Sequence, residues 1–182
     1  MGNHNLKSLS VFISLVLRHK PEAAGIELDE RGWADVEKLL AGINATGRSI
    51  DRDILEKIVE TDEKGRYSLS GDGRKIRANQ GHSIPVDVEL ENAEPPEILY
   101  HGTADRFLHA IREGGLLPMN RLYVHLSKDV ETAVKVGSRH GRPVVFEVEA
   151  GRMCREGIPF YLSSNGVWLT KSVKPQYLRL RE

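Results

Sequence analysis

Residues 51–77 read Asp51-Arg52-Asp53-Ile54-Leu55-Glu56-Lys57-Ile58-Val59-Glu60-Thr61-Asp62-Glu63-Lys64-Gly65-Arg66-Tyr67-Ser68-Leu69-Ser70-Gly71-Asp72-Gly73-Arg74-Lys75-Ile76-Arg77, and a change of pattern inside this stretch decides the fold of the first half of the chain. Asp51 stands where an N-cap belongs, Ile54, Leu55 and Ile58 form an apolar face at helical spacing, and Thr61 to Gly65 ends the element. Beyond Gly65 the pieces become short and extended: Arg66 to Leu69 and Arg74 to Arg77 flank Gly71-Asp72-Gly73, which has the composition of a hairpin turn.

Working towards the N-terminus, Val36, Leu39, Leu40 and Ile43 keep helical spacing until Gly47, and Leu6, Leu9, Phe12, Ile13, Val16 and Leu17 do the same before Pro21. Three helices followed by a hairpin predict a winged-helix lobe over residues 1–93. An acidic stretch around Glu89, Glu91 and Glu94 then leads to Pro95-Pro96, read as a linker. Residues 94–182 mix both periods. Ile98-Leu99-Tyr100, Leu122 to Leu126, Val144 to Val148 and Val167-Trp168-Leu169 read as strands, while Phe107 to Ile111 and Val130 to Val136 read as helices. The expected class is α+β in two lobes, and no fixed-period repeat points to a solenoid or propeller.

Composition excludes several functions. With 40% hydrophobic and 29% charged residues among 182, the chain belongs with globular proteins rather than disordered or collagenous ones. Its 26 Lys and Arg balance 26 Asp and Glu, so it lacks the broad basic field of a non-specific nucleic-acid coater, and any anion site is local. The single cysteine, Cys154, allows no intramolecular disulfide and points to a reducing, cytoplasmic setting. Lys7 and the apolar run from Leu9 to Leu17 imitate an export signal, but Arg18-His19-Lys20-Pro21 follows without a small-residue cleavage site, and the run is too short to span a membrane. Size and neutral balance fit a monomer.

Local chemistry is richer. Lys64, Arg66, Arg74, Lys75 and Arg77 outnumber the acid Asp72 between residues 64 and 83, and Asn79, Gln80, His82 and Ser83 add neutral donors, making a candidate phosphate or RNA surface that could equally be a charge-protected hairpin edge. Arg18 and His19 end an apolar helix, where a cation can complement the dipole or, paired with an imidazole, hold a phosphate beside a titratable group. Tyr100-His101-Gly102-Thr103 places a histidine at a strand end before a glycine expected to let a ligand approach the backbone. His125 and Ser127 share one face of another strand. No Rossmann fingerprint accompanies Gly71-Asp72-Gly73, and His101, His125, His140 and Cys154 lack close metal-ligand spacing, so no metal is expected.

Seven ordered blocks together, Leu17 to Pro21, Gly32-Trp33, Arg77 to Ser83, Tyr100 to Thr103, Val124 to Ser127, Arg139-His140-Gly141 and Asn165 to Thr170, resemble the NAD-dependent RNA 2'-phosphotransferases, also called tRNA 2'-phosphotransferases. The resemblance implies a winged-helix RNA lobe and a C-terminal lobe similar to ADP-ribosyltransferases. It implies that an internal RNA 2'-phosphate, as left at a tRNA splice junction, passes to NAD, giving 2'-hydroxyl RNA, nicotinamide and ADP-ribose 1'',2''-cyclic phosphate through a phospho-ADP-ribosylated RNA. The family's Arg-His-Arg-Arg tetrad maps onto Arg18, His19, Arg66 and Arg121. NAD contacts map onto His101, Gly102, Thr103, His125 and Ser127, with Arg139 and His140 as pyrophosphate candidates, and RNA contacts are expected at Lys20, Arg74, Lys75, Arg77 and His82.

This sequence departs from ADP-ribosyltransferase relatives in offering Val167 where a glutamate is sought. The departure makes chemical sense. A 2'-phosphate, with a second pKa of about 6 by analogy with phosphorylated side chains, is already an anionic nucleophile near neutral pH. It needs guanidinium groups to hold it in line rather than a general base, with His19 for the proton movements that follow. Two alternatives remain open: an ADP-ribosyltransferase acting on nucleic-acid phosphates or protein, and a non-catalytic winged-helix regulator with Arg52 and Lys57 in a groove.

Overall fold

The structure, a computed structural model, describes residues 3–182. The chain divides into two compact units, Met1–Glu89 and Leu90–Glu182, and is a mixture of helices and short antiparallel sheets. The division lies ahead of the break expected after residue 93, because Glu91 and Asn92 already pair with Leu162 and Tyr161 inside the second unit.

In the first unit, α1 (Asn3–Arg18) buries Leu9, Ile13, Val16 and Leu17, each at most 2% exposed, as its spacing requires. Each such side chain contributes about 1.5–3 kcal/mol when removed from water. Pro21 cannot continue the helix and instead opens a short 3-10 turn, Pro21–Ala24. Strand β1 (Ala34–Asp35) precedes α2 (Val36–Ala45), whose N-cap is Asp35, and α3 (Arg52–Glu60) is capped by Asp51 as the sequence predicts, through Oδ1 accepting from the Ile54 N–H at 2.8 Å. Strands β2 (Tyr67–Leu69) and β3 (Lys75–Ala78) form the expected hairpin, with β1 completing a three-stranded sheet in the order β1-β3-β2. Ile76 pairs with Ala34 and packs with Ile13, Leu39, Ile43 and Leu55 in one core.

The second unit runs β4 (Glu91–Asn92), β5 (Leu99–Ala104), α4 (Leu108–Gly114), β6 (Val124–Leu126), α5 (Val130–Gly137), β7 (Pro143–Val148), α6 (Ala150–Arg155), β8 (Tyr161–Leu162), β9 (Trp168–Thr170) and β10 (Leu178–Arg181). Two antiparallel sheets result, β10-β7-β5 and β4-β8-β9-β6, around Leu99, Leu126, Val148, Met153 and Phe160. A single antiparallel bridge between Tyr100 and Ser127 joins them, each backbone N–H donating to the other's carbonyl at 2.8 Å. That bridge sets His101 on β5 beside His125 on β6.

The strands and helices read from periodicity are all found. Those not read are β1, β4 and β8, two residues each and too short to carry a period, the short α6, and β10, whose Leu-Arg-Leu-Arg alternation does signal it. No helix among the described residues is long and apolar enough to cross a membrane.

Candidate active site

The first unit carries a basic pair at the C-terminal end of α1. Arg18 and His19 close the helix, with the His19 N–H still donating to Leu15 O at 2.9 Å. The segment after β3, Asn79-Gln80-Gly81-His82-Ser83, returns against this helix end. Ser83 N–H donates to Arg18 O at 3.0 Å, and Ser83 Oγ lies 2.8 Å from His19 Nδ1. Gly81 has φ +87°, a conformation side chains rarely adopt, and a Cβ there would stand 3.4 Å from Arg18 Nε, so the backbone rests directly beside the guanidinium.

The same segment reaches Arg66. Asn79 N–H donates to Arg66 O at 2.8 Å and Asn79 Nδ2 to Gly65 O at 2.7 Å, while Ser68 Oγ donates to Asn79 Oδ1 at 2.7 Å. The Arg66 guanidinium is held by the nearly buried Asp62, which also accepts the Arg66 backbone N–H. Tyr67, next in sequence, donates to Ser10 O at 2.7 Å; burial raises its pKa, and the positive charges of Arg18 and Arg66 act against that rise. One loop therefore ties the main chain of Arg18 and Arg66 and the imidazole of His19, while Asp62 holds the Arg66 guanidinium.

Of the expected RNA contacts, Lys20 and Arg74 are exposed. Lys75 pairs with Asp29 at 3.2 Å, and Arg77 lies 4.5 Å above the Trp33 ring and 3.3 Å from Glu89. His82 requires a correction. It is 2% exposed, its Nε2 has no hydrogen-bond partner among the described residues, and burial first, then the charges of Arg18, His19 and Arg77, hold its pKa at about 4. An imidazole this buried, and neutral at pH 7, does not stand on the surface as the expected donor to RNA.

In the second unit, His101 Nδ1 lies 3.1 Å from the His125 carbonyl, which can only accept, so Nδ1 carries the proton. Burial lowers the His101 pKa, outweighing that hydrogen bond, and a neutral ring of this tautomer presents Nε2 as an acceptor. An Arg121 guanidinium N–H donates to His125 Nδ1 at 2.9 Å. The Arg121 pKa is lowered, by loss of hydration first and by the nearby positive Arg139 second, and among the described residues neither arginine forms an ion pair. His140 is exposed in the turn after α5, Thr103 is 8% exposed, and Ser127 is half-buried at the bridge.

Gly102 is also corrected. The expected open approach to its backbone is filled by protein: a Cβ there would sit 1.6 Å from Ala133 O and 2.5 Å from Ala133 C, because α5 lies directly on β5. The glycine is needed for helix-on-strand contact, and a ligand has no access on that side. Val167, in place of a carboxylate, donates its N–H to Ser163 Oγ at 3.0 Å in the turn before β9.

The family model described as "RNA 2'-phosphotransferase, Tpt1 / KptA family" matches residues 4–172. The chain belongs to the RNA 2'-phosphotransferase family. Three relatives, each named "Probable RNA 2'-phosphotransferase", are similar over nearly the whole chain. The Hahella chejuensis protein is 57% identical over 176 residues, 96% of this chain and 94% of its own. That of Flavobacterium johnsoniae is 51% identical over 181 residues, covering both chains completely, and that of Shigella boydii is 51% identical over 182 residues, 98% of this chain and 99% of its own.

Every candidate residue from Arg18 to His140 lies inside the span matched by the RNA 2'-phosphotransferase family model. Asp62 and Asn79 acquire importance only through their contacts with Arg66. Asn79 belongs to the block from Arg77 to Ser83 that carries the family likeness, which marks the segment without saying what it touches.

Proposed function

We propose that the chain removes an internal RNA 2'-phosphate, as left at a tRNA splice junction, by transferring it to NAD, with 2'-hydroxyl RNA, nicotinamide and ADP-ribose 1'',2''-cyclic phosphate as products. The first unit is read as a winged-helix RNA lobe, a reading supported by three helices followed by the β2–β3 hairpin. The second is read as an ADP-ribosyltransferase-like NAD lobe, supported by the pairing of His101 with His125. A monomer in the cytoplasm is the setting this reading assumes.

The observation that carries the proposal is the loop 79–83, which ties Arg18, His19 and Arg66 to one support. A phosphate dianion is well matched to planar guanidinium groups, which donate in pairs and stay charged at any working pH. Holding them in place before the substrate arrives avoids reorganisation during the reaction, which is where such charges act most strongly. Arg121, in the second unit, is assigned to an anionic group of the substrates, and its lack of an ion pair among the described residues leaves its charge uncompensated by any carboxylate. His19 supplies the imidazole that moves the proton at the RNA 2'-oxygen.

The second unit's residues fit NAD. Arg121 and Arg139 together make a positive region suited to a diphosphate, and the Arg121 donation to His125 Nδ1 leaves His125 Nε2 protonated when the ring is neutral. His101 Nε2 then accepts where His125 Nε2 donates, a pair able to orient hydroxyl or amide groups. When bound, NAD supplies an electrophilic ribose carbon and a leaving nicotinamide. Thr103 lies on β5, Ser127 directly follows β6, and Gly102 serves by admitting α5.

The test is mass spectrometry of products from the full chain, NAD and a short 2'-phosphorylated oligonucleotide. Loss of phosphate from the RNA with appearance of nicotinamide and the cyclic phosphate supports the reading. RNA that ends up carrying ADP-ribose, or protein that carries it, identifies an ADP-ribosyltransferase instead. Duplex binding without NAD consumption identifies a regulator.

A further inference from the structure

We propose that Ser83 is a positioning residue for His19, its hydroxyl holding the imidazole through Nδ1 so that Nε2 is the nitrogen that serves the RNA 2'-oxygen. The inference rests on the phosphate-transfer reading above. In that reaction the bond between phosphorus and the RNA 2'-oxygen breaks, and the electron pair stays on oxygen. That oxygen takes a proton from Nε2, phosphorus passes to an acceptor hydroxyl, and that hydroxyl's proton returns to the imidazole. An imidazole that flips between its two nitrogens would perform this only part of the time.

Three features make Ser83 suited to prevent the flip. Its hydroxyl is 2.8 Å from His19 Nδ1, and its backbone N–H donates to Arg18 O at 3.0 Å, so the hydroxyl is presented from a fixed main chain. At the other end of the loop, Asn79 is pinned to Arg66 O and Gly65 O, and Gly81 between them takes a φ of +87° against the Arg18 side chain. A hydroxyl, finally, can donate or accept. It stays bonded whether Nδ1 carries a proton or a lone pair, and it adds no negative charge that would repel a phosphate, as a carboxylate partner would.

The experiment compares the wild-type chain with Ser83→Ala and Ser83→Thr. Turnover is measured on a short 2'-phosphorylated oligonucleotide at saturating NAD, and the His19 ring nitrogens are observed by 15N NMR on each full-length protein. Loss of one oriented hydrogen bond predicts that Ser83→Ala lowers kcat about tenfold, with KM for the oligonucleotide within about twofold. The His19 Nδ1 signal moves in that variant, and Ser83→Thr, which keeps the hydroxyl, restores both. A raised KM with unchanged kcat would make Ser83 a phosphate ligand and overturn the proposal, as would unchanged ring-nitrogen signals in Ser83→Ala or a failure of Ser83→Thr to restore them. If the wild-type chain makes no product at all, the functional reading fails, and the ring-nitrogen comparison still decides whether Ser83 orients His19.

Discussion

Arg121 donates a guanidinium N–H to His125 Nδ1 at 2.9 Å, which obliges that nitrogen to keep its lone pair. A residue assigned to phosphate thereby also sets the tautomer of a residue assigned to NAD. Arg121→Lys retains the positive charge but replaces a planar fork by a single ammonium that cannot point in both directions. Turnover is expected to fall about a hundredfold or more, the size found when a preorganised donor to developing charge is lost. Steady-state kinetics on the 2'-phosphorylated oligonucleotide check this, and a loss below about fivefold contradicts the dual role.

Asp62 has a matching part on Arg66, accepting from both its guanidinium and its backbone N–H. Asp62→Ala frees both and is expected to lower turnover about tenfold through misplacement of Arg66, the size of one lost oriented, charged hydrogen bond. Asp62→Asn, which keeps an acceptor in the same place, should lose less. Equal activity in all three proteins would show that Arg66 needs no holding.

His82 predicts a pH dependence of stability. Its pKa of about 4 in the folded chain lies below the ordinary 6.5, so between these values the unfolded chain binds more protons. The stability is complete above about pH 6.5, declines as pH falls, and is down by about 3 kcal/mol at pH 4 from this group. Urea unfolding of the wild type against His82→Leu at several pH values measures it: the wild type should lose stability relative to the variant on acidification. Parallel curves would rule out the assignment.

Gly102→Ala places a methyl group within the space of the Ala133 carbonyl, which is helix backbone and cannot swing aside. Separating α5 from β5 to admit it is expected to cost about 3 kcal/mol or more, at the severe end for a single substitution. Denaturant unfolding gives the number. A loss of NAD affinity at unchanged stability would instead support a ligand contact at the Gly102 backbone.

Much of the fold was legible from periodicity because burial in this chain follows it closely. Leu9, Ile13, Val16 and Leu17 repeat at helical spacing and are the buried face of α1, and the turn chemistry of Gly71-Asp72-Gly73 suffices to place a hairpin. Two-residue strands such as β4 and β8 escaped because they have no period, and exist only by pairing with chain distant in sequence. The resemblance to the RNA 2'-phosphotransferase family, and not periodicity, is what nominates Arg18, His19, Arg66 and Arg121 as the chemistry-bearing set.

What those side chains touch was decided by tertiary structure alone. Asn79 and Ser83 reach back across the sequence to Arg66 and His19, His82 proves to be buried and neutral, and Gly102 lies against a helix backbone on its Cβ side. The physical reason is that hydrophobic pattern and turn propensity act between near neighbours along the chain. Hydrogen-bond partners, tautomers and desolvation depend on which distant atoms folding brings within about 3 Å.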